Sequence, residues 1–181
     1  MSAGERAAIV QALHSPSVSE PTRRVLLERL DQRFERQFFD ADTFGRLRDL
    51  ARVLVPHDPT EIDLTGTVDH RLTTQQNDGW RYDDTPPDGE AYRALLHALP
   101  GQFGTLDAGA QALAVRELQA AHKHAFEDLL AELTEAFMAH PLTQYRFGYA
   151  GFMDVPNWPR VGPNELEARE RHYGEQAHGE A

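Results

Sequence analysis

Nine histidines and 29 acidic side chains give this chain the raw material for metal binding or proton transfer, and their spacing limits which of these is open to it. A carboxylate-bridged di-iron bundle needs Glu-x-x-His on two helices, so that both ligands face inward. The pattern occurs here as Glu175 and His178, near the chain end. The His-Glu-x-x-His run of a zinc-protease helix is absent. His122 and His124 sit two positions apart, which on a helix separates them by about 200° and keeps them off a common ion. Glu127, one turn beyond His124, is an ordinary ion-pair partner for it. The spacing therefore predicts no metal site. Asp69 beside His70 is the one pair suited to acid–base work. Neighbours on a helix point about 100° apart, so a structural role is the better expectation for that pair too.

Nucleophilic and phosphate chemistry find less support. There is no cysteine, which removes disulfides, thiolate metal sites and cysteine nucleophiles. The serines all precede position 20 and none sits in a Gly-x-Ser-x-Gly elbow. Neither a Gly-x-Gly-x-x-Gly turn nor a Walker loop is present, so no phosphate-cradling glycine turn is expected. Asp83, Asp84 and Asp88 cluster in a stretch that reads as solvated loop. With 29 acidic against 18 basic residues and a net charge of −11, the molecule repels nucleic acid and anionic lipid. No apolar run approaches the ~20 residues that span a bilayer. The first residues hold neither a twin-arginine pair nor a hydrophobic signal core. A cytoplasmic location is expected, or a periplasmic one if a partner carries the chain outward.

The elements that must position these groups are helical. A length of 181 residues and 40% hydrophobic content fit one folded domain, and sustained period-two alternation is absent. Residues 5–14 are a short helical candidate inside an otherwise weakly structured segment, 1–18. Ser19 and Pro21 open a helix expected to run to about 39, because Leu26, Leu30, Phe34 and Phe38 recur every four residues. Asp42 offers a cap for a helix carrying Phe44, Leu47, Leu50 and Leu54, which Pro56 stops. A weaker helix covers 66–76. Glycines, prolines and aspartates make 77–89 a long loop around Trp80 and Tyr82. Helices follow over 89–99, from the Asp107 cap to about 120, and on to about 139. In the last of them Phe126, Leu130, Leu133 and Phe137 share a face. The expected class is all-α, an irregular bundle of five to seven helices over 19–140, with an extended aromatic arm at 141–173 and a frayed tail at 174–181.

That arm is the unusual feature. Tyr145, Phe147, Tyr149, Phe152, Met153 and Trp158 crowd together between glycines and prolines. Such a stretch either folds back over its own core or docks on another protein, and a proline-stiffened aromatic segment loses little entropy in docking. Trp80, Tyr82, Tyr145, Phe147, Tyr149, Phe152 and Trp158 are the expected partner-binding residues, since buried aromatics dominate protein interfaces.

Spaced features along residues 44–170 resemble one family. Leu47, Leu50, Leu54 and Pro56 resemble its early helix ending in proline. Val68, Asp69 and Leu72 resemble its (I/V)D-x-x-L stretch, and Phe103, Leu106, Gln111 and Leu113 its F-x-x-L segment. Helix 123–139, then His140-Pro141 and the Gly- and Trp-bearing end region, complete the set. The family is gluconate 2-dehydrogenase subunit 3, the small subunit of flavin-dependent sugar and sugar-acid dehydrogenases. The resemblance implies an accessory, chaperone-like role with no catalytic residue, flavin or haem in this chain. It implies stable association with a larger FAD-containing subunit of the glucose–methanol–choline type that oxidises a sugar, sugar acid or glycoside, and it admits a cytochrome subunit as a further partner. The chain departs from the family in lacking the twin-arginine signal and in a shortened MDVPNW ending. Two rivals stand beside it: a self-sufficient helical enzyme using Asp69 and His70, or His122 with a neighbouring acid, and a general helical adaptor without redox chemistry.

Overall fold

Caps written into the sequence set where the helices begin. In the computed structural model, which describes residues 1–76, 85–149 and 151–154, helix α1 (Ala3–Leu13) opens with a capping box. Ser2 Oγ accepts from the Glu5 N–H and the Glu5 carboxylate accepts from the Ser2 N–H. Ile9, Leu13 and Val18 are buried, so the expectation of a weakly structured segment over 1–18 does not hold. Ser19 caps α2 (Glu20–Leu30), with Pro21 in its first turn.

Helix α2 stops at Leu30, about nine residues short of the expected end, and the reason lies in α4 (Leu64–Thr73). Two aspartates of that region capture the amides that a longer α2 would have used internally. Asp63 accepts from the Phe34 N–H at 3.0 Å. Asp69 accepts from Gln37, Phe38 and Phe39 N–H at 2.6, 3.0 and 2.9 Å. Residues 32–39 therefore run as a non-helical strap across α4. The four-residue spacing of Phe34 and Phe38 imitates a helical stripe, but each ring has its own seat: Phe34 stacks on His70 with centroids 4.1 Å apart, and Phe38 lies 4.1 Å beneath the Arg93 guanidinium.

The remaining helices follow the expected plan with shifted ends. Asp40 caps α3 (Ala41–Leu54) by accepting from the Thr43 N–H, while Asp42, the expected cap, pairs instead with Arg46 one turn on. Helix α5 (Asp88–Ala98) leads to a 3-10 turn at Phe103–Thr105, and Asp107 caps α6 (Ala108–Ala121). The backbone breaks at His122 (φ −131°, ψ 46°) before α7 (Lys123–Met138). The segment expected to be extended from 141 begins instead with α8 (Pro141–Arg146). The chain is all-α: the described residues form eight α-helices and no strand, with α1 and α8 as the two that sequence patterning underrated.

Helices α3, α4, α5 and α7 pack into the centre, with α6 and the 3-10 turn against α7 and α3. Helices α1, α2 and α8 form a second layer, and α8 also meets α7. Leu47, Leu50, Leu95, Leu96, Leu129 and Leu133 are sealed from solvent. At roughly 1.5–3 kcal/mol for each large apolar side chain removed from water, this seam is the main source of stability. Among the described residues no helix is long and apolar enough to cross a membrane.

Candidate functional site

The two residues best suited to acid–base chemistry are both occupied. The Asp69 carboxylate is fully buried and accepts three backbone N–H bonds from the strap, so its lone pairs are committed to holding residues 37–39. His70 is stacked under Phe34. His122 forms the joint between α6 and α7. Among the described residues no three His, Asp or Glu side chains come together in a way that could hold a metal ion.

Two residues beyond Asp69 lies a cluster that sequence patterning missed. Arg71 grips Glu132 of α7 through two parallel N–H bonds and donates to Asp88 of α5 at 3.0 Å. Tyr92 donates to the same Glu132 at 3.1 Å. Burial pushes the Glu132 carboxyl above the usual carboxylate range, with Arg71 and Tyr92 pulling the other way. Burial also raises the Tyr92 hydroxyl, helped by the nearby Glu132 charge. The cluster ties α4, α5 and α7 together across the centre. Its signal in the sequence was an acid, Glu132, beside the apolar positions Leu129 and Leu133.

The α8 end is different. An apolar cavity of about 240 Å³ lies between α1 and the residues that follow α8, walled by Ile9, Leu13, Pro141, Tyr145, Tyr149 and Phe152. The turn that makes it is a Schellman motif: the Gly148 N–H donates to Tyr145 O at 3.0 Å and the Tyr149 N–H to Gln144 O at 2.8 Å. Gly148 supplies the required left-handed backbone, at φ 67°. Gly151 lets the chain pass over the Tyr149 ring, where a Cβ would overlap it. Arg146 ties the helix down, donating to Glu5 at 3.0 Å and to Glu61 at 2.7 and 2.9 Å. Asp154 closes the segment: it accepts from the Ser19 N–H and from the Ser19 and Thr22 hydroxyls, contacts that hold its carboxyl down at about 2.

The structure thus brings three of the expected partner-binding residues, Tyr145, Tyr149 and Phe152, to one groove, with Phe147 on the turn beside it. Phe147 is 69% exposed and Tyr149 56%, while Phe152 turns inward and packs partly on the core. Trp80, Tyr82 and Trp158 lie outside the described residues. A second cavity, of about 260 Å³, opens between α2, α4 and α7 beside His140. No sequence motif marks it, because its residues come from segments far apart along the chain.

Several of the residues behind the family resemblance are framework residues. Leu47, Leu50, Val68, Asp69, Leu72 and Phe103 are buried, and the Gln111 side chain donates to Phe103 O at 3.1 Å. No protein-family model, curated protein or solved structure matches the chain.

Proposed function

We propose that this chain is a non-catalytic helical subunit that docks through the α8 groove onto a larger polypeptide and stabilises it. The partner we propose is an FAD-dependent dehydrogenase acting on a sugar, sugar acid or glycoside. The observation that carries the docking role is the pair of exposed rings, Phe147 and Tyr149, set on a defined Schellman turn beside an apolar cavity. A large apolar side chain left in water gains free energy only when a second surface dries it, and aromatic anchors next to a groove are the usual centre of such an interface. The committed state of Asp69 and His70 supports the non-catalytic part of the reading. The partner's chemistry is supported by the resemblance in residues 44–170.

Co-expression with an adjacently encoded flavoprotein tests this. Co-elution of the two chains with bound flavin is expected, and Phe147→Ser with Tyr149→Ser should weaken the complex by about 2 kcal/mol or more without changing the helix content of the free subunit. Separate elution, or a complex indifferent to both substitutions, would overturn the reading.

A further inference from the structure

The cavity between α2, α4 and α7 has a chemistry unlike the apolar groove. His140 stands at its edge, 5% exposed. The Leu142 N–H donates to His140 Nδ1 at 3.2 Å and so caps α8. With Nδ1 accepting, the neutral ring carries its proton on Nε2. That Nε2 is buried and has no hydrogen-bond partner, a condition that native proteins rarely leave uncompensated.

Arg29 lies beside it. Its Nη1 donates to the carbonyl of Ala139, the residue before His140, at 3.1 Å. The rest of that guanidinium edge meets no acceptor among the described residues. Among the other charges of the cavity, Arg71 is matched with Glu132 and Asp88, and Asp63 with the Phe34 and Gly66 amides, while Glu135 lies exposed at the rim. Ile62, Leu64 and Ala136 supply an apolar wall. Although the chain carries a net charge of −11, two arginines, Arg29 and Arg33, act on the His140 side of the cavity. Burial depresses the imidazole, and Arg33 and Arg29 depress it further against the opposing Asp31 and Glu61.

We propose that this cavity binds a small organic carboxylate. One carboxylate oxygen accepts from His140 Nε2–H and the other from the open edge of Arg29, while the body of the molecule lies against Ile62, Leu64 and Ala136. A planar fork of donors matches a carboxylate better than a spherical anion. The apolar wall and the exposed Glu135 at the rim count against a highly charged phosphate. About 260 Å³ admits a molecule the size of benzoate.

The test is a titration of the full chain with sodium benzoate, with benzylammonium and inorganic phosphate as the contrasting probes, followed by NMR. Benzoate should shift the His140 imidazole N–H and the Leu142 amide saturably, and benzylammonium should not. Arg29→Gln and His140→Asn, the latter keeping a side-chain acceptor for the α8 cap, should each weaken benzoate binding about tenfold or more. Glu135→Gln should not weaken it. If Arg29→Gln fails to fold, Arg29→Lys and the wild-type imidazole signal carry the same information. Absence of a saturable benzoate shift, equal binding of benzylammonium, a preference for phosphate, or variants that bind benzoate as the wild type does would each overturn the proposal.

Discussion

Around α4 the chain spends its polar groups on itself, whereas at α8 it holds aromatic rings out in water. Asp63 and Asp69 pin a strap, and Arg71 with Glu132 and Tyr92 crosslinks three helices. Every one of these groups has a partner inside the chain, and removing one leaves another stranded in a low-dielectric setting. At α8 the hydrogen bonds are just as well made, through the Schellman turn, Arg146 and Asp154, but they serve to present Phe147 and Tyr149 outward. The contrast teaches that buried charge here is architectural, and that the surface available for a partner is apolar.

The first way to break this comparison is Asp69→Ala. It strands three backbone N–H groups and should cost roughly 4 kcal/mol in urea unfolding; a neutral outcome would mean that the strap is not held by α4. Next comes the crosslink: Arg71→Met should cost about 3 kcal/mol by leaving Glu132 unpaired, while adding Glu132→Leu should restore most of it. If the double variant is as weak as the single, the pair contributes more than mutual compensation.

A pH series sharpens the same contrast at the junction of α7 and α8. Burial first, then Arg33 and Arg29, lower His140 from its ordinary 6.5 to about 4, with Asp31 and Glu61 opposing. The unfolded chain therefore binds the extra proton first. Stability from this group is fully present above pH 6.5 and is lost as pH falls towards 4, by on the order of 2 kcal/mol. His140→Gln should flatten that window in denaturant titrations. The carboxyls of Glu5, Glu61 and Asp154, held at about 2, release their own contributions below it. The smallest effect belongs to the exposed end: Phe147→Ser and Tyr149→Ser should each change the free chain's unfolding free energy by less than about 0.5 kcal/mol, although both should weaken the proposed complex. A large loss in the isolated chain would place those rings in its own core and erase the difference between the two ends.

Much of the helical plan was legible. Ser19 and Asp107 announced their helices, because an N-cap is a local contact between neighbours in sequence. The stripe on α7 pointed to the core, though Leu129, as fully buried as Leu133, was not among the residues singled out. The end of α2 was not legible, since the rival partners for the Gln37, Phe38 and Phe39 amides lie some 30 positions away, on Asp69. That carboxylate left one sign: it occupies the buried face of α4 with Thr65, Val68 and Leu72. An acid on an apolar stripe signals a buried partner without naming it. Of the site, the aromatic cluster after residue 141 was visible as composition. Its arrangement on a Schellman turn beside α1 was not, since Gly148 alone does not say which element it turns toward.

Composition and local spacing decided on their own that the chain is helical, where most helices start, and that its unusual surface is aromatic, because caps and amphipathic periods act over one or two turns. Only tertiary structure decided that Asp69 is a clasp and not a catalyst, that His140 keeps a buried N–H unanswered beside Arg29, and which rings stay wet. Those outcomes depend on atoms far apart in sequence competing for the same hydrogen bonds and the same dry volume.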